Sequence, residues 1–289
     1  MIKVYFAQNW GLTSRQMCEN YIKQTPGCLG AWENIQVTYD IDDADYLIIE
    51  DNCSLADAKR FNNKTRIYFS REALDSSSHV KYGSRHFIRS TFWDNTGYLY
   101  TKWVYNGSAG GIMMSYDDLN KETPVTKSKT ISTVQSNKQY TKVHRDRVNF
   151  INKMVDKTNL DVYGSINCAN NVLINNDKKS ALDDYKYCLA FDNQVTIKDF
   201  FGTQFTDSIL RWTVPIYGGG ADLEKYFPSK SFIKVDPTDM NEVDRVIDLL
   251  EKDDYNERLE ALTEARRLIL DTYNIWPTIK KIIDDQEGS

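Results

Sequence analysis

The sequence has no apolar run approaching the roughly 18 to 20 residues that a bilayer-spanning helix needs. It carries no charged-then-apolar leader either, opening directly on the strand-like Ile2-Lys3-Val4-Tyr5-Phe6-Ala7. Neither signal peptide nor anchor is therefore expected. Basic excess is missing: 36 Lys and Arg stand against 41 Asp and Glu, a net charge of −5, which argues against nucleic acid as a partner. The five cysteines (Cys18, Cys28, Cys53, Cys168, Cys188) are odd in number and contain no CxxC pair. Reduced thiols in a cytosol-like compartment fit better than a disulfide framework. His79, His86 and His144 lack metal-ligand spacing, so no metal site is inferred. Internal repeats and low-complexity tracts are also absent.

What is present is ordinary globular composition, 41% hydrophobic and 27% charged over 289 residues, which suits two modest α/β domains. After the first strand, Thr13-Ser14 cap an amphipathic stretch through Met17, Tyr21 and Ile22. Strands at Tyr46–Ile49 and Arg66–Ser70 flank a helix over Leu55–Phe61. Strands alternating with helices imply a parallel sheet covered on both faces. Between Glu72 and Gly111 the pattern breaks into short aromatic pieces with glycines, the composition of surface loops. The polar segment Lys121–Lys129, with Pro124, reads as a linker, and places domains at 1–125 and 126–289.

Beyond it the alternation resumes. Strands are expected at Thr130–Gln135, Leu160–Tyr163, Tyr185–Phe191, Val214–Tyr217 and Phe232–Val235, with helices at Val143–Val155 and Thr206–Leu210. Val243, Val246, Ile247 and Leu250 mark another helix by their i, i+3, i+4, i+7 spacing. A last helix over about Asn256–Tyr273 is expected to stop near Pro277. Doubly wound halves suit a diphosphate ligand, because strand ends and helix N-termini line the crevice with backbone N–H groups.

The ordered blocks in the second half are more specific. Tyr185-Lys186-Tyr187-Cys188-Leu189-Ala190-Phe191-Asp192-Asn193 is similar to the YKFxLxFENS block of glycosyltransferase family 10, the α-1,3/1,4-fucosyltransferases. Thr213-Val214-Pro215-Ile216-Tyr217-Gly218-Gly219 and Tyr226-Phe227-Pro228-Ser229-Lys230-Ser231-Phe232-Ile233 resemble the family's next two blocks. Ser136-Asn137, Arg147 and Asp161-Val162-Tyr163-Gly164 follow its SN, R and DxYG order. The first half resembles bacterial members more faintly, through Ala7-Gln8-Asn9-Trp10, Asp45-Tyr46-Leu47 and Ile67-Tyr68-Phe69-Ser70-Arg71-Glu72.

The resemblance implies a GT-B-like α/β fold, two Rossmann-type domains with the site in an interdomain cleft, and a C-terminal helix returning to the N-terminal domain. It implies inverting, metal-independent transfer of a sugar from a nucleotide-diphosphate donor to a glycan hydroxyl, with no cofactor. Glu72 would take the acceptor's proton, since a sugar hydroxyl is a poor nucleophile. Asn9 and Trp10 would contact the acceptor, an oligosaccharide, glycolipid or glycoprotein glycan. Asn137, Arg147, Tyr163, Asn193, Phe200, Thr203 and Gln204 would line the donor site. The arginine is the cation expected where the departing diphosphate gains charge, and Arg145, two residues earlier, is the competing match. A cytoplasmic bacterial or viral setting is expected.

One segment departs from the family. Its DYxTEK block, whose glutamate and lysine hold the ribose or sugar and the diphosphate, is here Asp199-Phe200-Phe201-Gly202-Thr203-Gln204. Thr203 and Gln204 replace the glutamate and lysine, removing a charged hydrogen bond of roughly 1.5–3 kcal/mol. Fucose from GDP-fucose is thus one reading and a UDP-sugar such as UDP-xylose another. A non-catalytic carbohydrate-binding protein is the third. Two weaker signals compete: Asp43-Ala44-Asp45 has metal-binding DxD spacing but precedes a strand, and Gly218-Gly219-Gly220 lacks the spacing of a phosphate loop.

Overall fold

The alternation of apolar strands with amphipathic helices builds two α/β units. The computed structural model describes residues 1–7, 12–50, 53–60, 65–70, 87–91, 114–165, 172–173, 178–192, 201–220 and 222–287. Unit 1 takes in Met1–Ala109, Met113–Glu122 and Leu270–Ser289, and unit 2 takes in Gly110–Ile112 and Thr123–Ile269.

In unit 1, β1 (Ile2–Ala7) is followed by α1 (Ser14–Ile22). Thr13 and Gln16 cap that helix reciprocally, each side chain bonding the other's backbone N–H. There follow β2 (Ala31–Trp32), β3 (Ile35–Val37), β4 (Tyr46–Glu50), α2 (Leu55–Arg60), β5 (Thr65–Ser70), β6 (Phe87–Thr91) and α3 (Tyr116–Lys121). Among the described residues the sheet runs β2-β3-β1-β4-β5-β6, parallel except at β2–β3. Without the two-residue β2 this is the doubly wound order 2-1-3-4-5, whose switch point lies between β1 and β4. Strand β6 falls in a stretch expected to be loops. Its Phe-Ile-Arg-Ser-Thr sequence has no alternation to announce it, and it pairs with β5 at the sheet's edge.

Unit 2 begins with β7 (Lys129–Gln135), α4 (Lys142–Lys157), β8 (Asp161–Gly164), β9 (Val172–Leu173) and α5 (Ser180–Asp183). It continues with β10 (Tyr185–Phe191), α6 (Thr203–Leu210), β11 (Val214–Gly218), β12 (Ile233–Lys234), α7 (Glu242–Lys252) and α8 (Leu259–Arg267). Its described strands are all parallel, in the order β12-β11-β10-β7-β8-β9. Counted from β7 this is the 3-2-1-4-5-6 Rossmann order, and the switch point falls between β7 and β10. Central β10 is buried along almost its whole length, as a parallel strand covered on both faces must be.

The strand-start edge of this sheet is tied up by its own polar groups. Lys127, within the stretch read as a linker, is buried. Its ammonium donates to the carbonyls of Leu182 (3.1 Å), Asp183 (2.7 Å) and Arg211 (2.7 Å) and to Thr213 Oγ1 (3.3 Å). Lys129 donates to the Tyr185 hydroxyl at 2.9 Å, and that hydroxyl donates to Asp161 at 2.5 Å.

The C-terminal end differs from expectation. The helical stretch divides into a 3-10 turn at Tyr255–Arg258, α8, and a π-helical turn at Leu268–Thr272. Pro277 does not stop a helix; it sits in the first turn of α9 (Ile275–Glu287), where its missing N–H has no intrahelical partner to lose. This helix buries Ile275, Trp276, Ile279, Ile282 and Ile283 in unit 1. Trp276 Nε1 donates to Tyr21 O at 2.8 Å, and its ring meets Phe6 edge-on at 5.5 Å. Cys18 of α1 and Cys188 of β10 are buried, and burial pushes both thiols up to about 11, so they stay protonated.

Candidate functional site

At the strand-end edge of unit 2, the switch point is built by the loop after β7 and by the start of α6. Gln135 closes β7 with its Nε2 donating to Phe191 O at 3.2 Å, tying the ends of β7 and β10 together. Gly164 ends β8 at φ +98°, and a Cβ there would lie 2.3 Å from Gln135 O. Only glycine fits both the left-handed backbone and the close approach. The turn it makes lets Ser165 N donate to Gln135 O at 3.1 Å and Ser165 Oγ accept from Asn137 N at 3.4 Å.

Asn137 is exposed, and its side-chain oxygen accepts from Gln139 Nε2 at 3.4 Å. The loop then enters α4 through a Thr141–His144 cap, with Thr141 Oγ1 and His144 Nδ1 2.7 Å apart. Arg147, on α4, is buried; its Nη2 donates to Ser136 O at 3.2 Å and to Ser136 Oγ and Lys138 O at 3.4 Å. Burial lowers the pKa of its guanidinium, and the nearby Asp192 carboxylate pulls it back. Arg145 holds the same loop from outside, exposed and donating to Gln139 O at 3.2 Å.

The start of α6 is fastened to the sheet by Asp192. This buried carboxylate accepts from Gly202 N at 2.8 Å and from the Tyr217 hydroxyl. A Cβ on Gly202 would fall 2.4 Å from Asp192 Oδ1, and one on Gly219 would strike the Tyr217 ring at 2.1 Å. The three-glycine turn after β11 is thus shaped by packing against this pair. Burial raises the pKa of Asp192, while Tyr217, Gly202 N–H, Lys178 and Arg147 favour its charge. Phe201 and Phe205 pack with Phe227 at 5.3 and 5.1 Å between ring centroids, seating the helix from below.

On α6 itself, Thr203 is exposed and Gln204 half-buried, with Gln204 Nε2 donating to Val134 O at 2.8 Å. Lys178 is buried, and its ammonium donates to Asp207 Oδ2 at 2.8 Å and Thr203 Oγ1 at 3.2 Å. Asp207 is fully buried; burial raises its pKa to about 6 against the lowering effect of Lys178. The arrangement joins a parallel-sheet switch point to an uncapped helix start and two buried cations, the chemistry of a site for a negatively charged nucleotide.

Residues 124–259, inside unit 2, match the family model described as glycosyltransferase family 10 (fucosyltransferase), C-terminal. Over those residues, just under half of the chain, the protein is similar to the family 10 glycosyltransferases. No curated protein sequence matches it. Among solved structures, an α1,3-fucosyltransferase is 16% identical, with 95% of this chain and 91% of that chain covered and a TM-score of 0.54. The α1,3-fucosyltransferase with GDP-fucose gives 16% identity, coverages of 94% and 92%, and a TM-score of 0.51. A glycosyltransferase from Rickettsia africae ESF-5 is 10% identical over 99% of this chain and 98% of that chain, with a TM-score of 0.53. At these identities the likeness carries the fold, two Rossmann-type units of GT-B class.

Of the transferase residues singled out from the sequence, Asn137, Arg147, Thr203 and Gln204 come to the strand-end edge of unit 2. Tyr163 is buried in β8 with its hydroxyl 2.9 Å from that of Tyr185, in the network at the strand-start edge. Asn9, Trp10, Glu72, Asn193 and Phe200 lie outside the described residues. Asp43 pairs with the Lys3 ammonium at 2.7 Å and Asp45 accepts from Lys3 N at 2.8 Å, so the DxD segment closes the turn before β4. Among the described residues no group of three or more His, Cys, Asp and Glu could hold a metal ion, and no helix is long and apolar enough to cross a membrane. Sequence reading missed Lys178, Asp192 and Asp207. Asp207 carried a signal, as a lone carboxylate on a helix whose neighbours Phe205, Ile209 and Leu210 are apolar and buried.

Proposed function

We propose that the protein transfers a sugar from a nucleoside-diphosphate donor to a glycan hydroxyl by direct, inverting displacement without a metal. The observation that carries the reading is the strand-end edge of unit 2: buried Arg147 behind the Ser136–Lys138 loop, opposite the uncapped start of α6. In the reaction the acceptor oxygen bonds to the anomeric carbon as the carbon–oxygen bond to the diphosphate breaks. The electron pair leaves with the diphosphate, whose growing charge the cations and the helix start stabilise. The acceptor's proton passes to a carboxylate, the role the family resemblance assigns to Glu72. Asn137, Thr203 and Gln204 contact the donor, and Asn9 and Trp10 the acceptor. No cofactor enters.

The sugar is fucose by family resemblance. Gln204 favours a second donor, a UDP-sugar, because its amide is spent on Val134 O and puts no charge on the diphosphate. The test is donor selection in EDTA, following thermal stabilisation and slow donor hydrolysis with GDP- and UDP-sugars. A donor that binds the native state raises the melting temperature, with a stabilisation that grows as the logarithm of ligand excess over Kd. Stabilisation by GDP-fucose alone supports fucosyl transfer, and stabilisation by a UDP-sugar moves the reading to that donor. Binding only after metal addition overturns the metal-free mechanism.

A further inference from the structure

The helix that opens the donor site has no basic residue of its own in its first turn: α6 begins Thr203-Gln204-Phe205-Thr206. A cation is nevertheless there. The ammonium of Lys178, 25 residues earlier in the chain than Thr203, lies 3.2 Å from Thr203 Oγ1. We propose that Lys178 is the diphosphate-binding cation of this enzyme, delivered to the start of α6 from the turn before α5. The inference rests on the nucleotide-sugar reading above.

Three observations converge on this role. Lys178 is buried, at 6% exposure, and Asp207 is at 0%. Sequestering such a pair carries a desolvation cost that its mutual attraction often fails to offset, so stability alone is a weak reason for it. The pair also has a direction. Thr203 and Asp207 are four residues apart, on one face of α6 and separated by about 6 Å along its axis. The ammonium bridges them, so the positive end of the pair lies at the opening turn and the negative end one turn inside. That is the sense of the helix dipole, and the two fields add at the start of the helix.

The third observation is that, among the described residues, the first turn of α6 carries no carboxylate and no side-chain cap of its own. Gly202 is the N-cap, with no side chain to bond the first amides, and the first turn has no acidic residue. Asp192 bonds the N–H of the cap residue, Gly202, and accepts from the Tyr217 hydroxyl, which leaves the amides of the first turn without a side-chain partner. Thr203 itself is exposed. A phosphate oxygen bonded at the Thr203 hydroxyl or the opening amides therefore meets the Lys178 charge without rearrangement of the helix.

The test compares binding of GDP, UDP, guanosine and uridine to the wild-type chain and to the double variant Lys178→Met/Asp207→Leu. Replacing both buried charges with apolar side chains keeps the interior of α6 compatible with folding, whereas Lys178→Met alone strands a buried carboxylate. The nucleoside diphosphate that binds the wild type is expected to weaken about tenfold to a hundredfold, with its nucleoside unchanged. Unchanged diphosphate affinity in the folded double variant overturns the proposal and leaves the pair a packing device. Lys178→Gln/Asp207→Asn is the second test. It removes both charges while keeping groups that can hydrogen-bond each other, and it is expected to abolish the preference for diphosphate over nucleoside. Retention of that preference also overturns the proposal. If the wild type binds none of the four ligands, the donor reading itself fails, an outcome separate from the loss of phosphate discrimination alone.

Discussion

The two edges of the unit 2 sheet use similar residues for opposite ends. At the strand-start edge, Lys127 spends its ammonium on three carbonyls and a hydroxyl, and Lys129, Tyr185 and Asp161 bond one another in a ring, with the Tyr163 hydroxyl on that of Tyr185. At the strand-end edge, Arg147 and Lys178 are buried as deeply, but beside them Asn137 and Thr203 reach solvent and α6 begins without a side-chain cap. Buried polar groups that answer one another stabilise a fold. Buried cations beneath an exposed helix start can also answer a ligand. The difference lies in topology: helix starts and the switch point meet at strand ends, and the opposite edge has no equivalent.

The sharpest way to break this contrast is Gly164→Ala. The substitution adds a Cβ 2.3 Å from Gln135 O at a φ of +98°, and a loss of about 3 kcal/mol or more is expected in urea unfolding. Donor affinity should fall with it, because the same turn ties Ser165 to the loop at Asn137.

Lys127→Met attacks the other edge. It removes the ammonium from Leu182, Asp183 and Arg211 carbonyls and should cost about 2–3 kcal/mol. Donor affinity measured on the folded fraction should be unchanged, and a parallel loss of affinity would erase the distinction between the edges.

A smaller effect follows from Asp207, whose folded pKa of about 6 stands above its ordinary value of 3.8. The neutral acid is favoured in the fold, so this group's contribution is fully present below pH 3.8 and is lost as pH rises through 6. Relative to Asp207→Asn, wild-type stability should decline by on the order of 2 kcal/mol between pH 4 and pH 7, read from paired urea titrations. A flat difference would mean that the carboxylate is not desolvated. The least disruptive change is Arg145→Ala. With an exposed side chain, it should alter stability by less than about 0.5 kcal/mol. If Arg147 is the donor-site arginine, nucleotide affinity is also retained, and a tenfold loss would transfer the role to Arg145.

Much of the fold was legible because its signals are local. The apolar strands β1, β4, β7, β10 and β11, the capped start of α1 and the amphipathic α7 follow from side-chain periodicity. Strand β6 and the role of Pro277 were not legible. An edge strand needs no alternation when neighbours supply its pairing, and proline opens a helix as readily as it ends one. The family resemblance of unit 2 was legible from ordered blocks such as Asp161-Val162-Tyr163-Gly164, whose glycine has a backbone reason. The direction of Tyr163 was not, because a strand residue's reach depends on which hydroxyls the neighbouring strands bring up to it.

The sequence by itself therefore determined the two doubly wound units, a block order similar to that of glycosyltransferase family 10 and the absence of a lysine from the start of α6. Only the tertiary structure decided that Pro277 lies in the opening turn of α9, that Arg147 is buried while Arg145 is exposed, and that Lys178 arrives where the helix lacks a cation. The physical reason is the range of the interactions. Periodicity and capping act over a few residues, whereas the meeting of Lys178 with Thr203 and Asp207 depends on how β7, β10 and α6 pack, which no local spacing encodes.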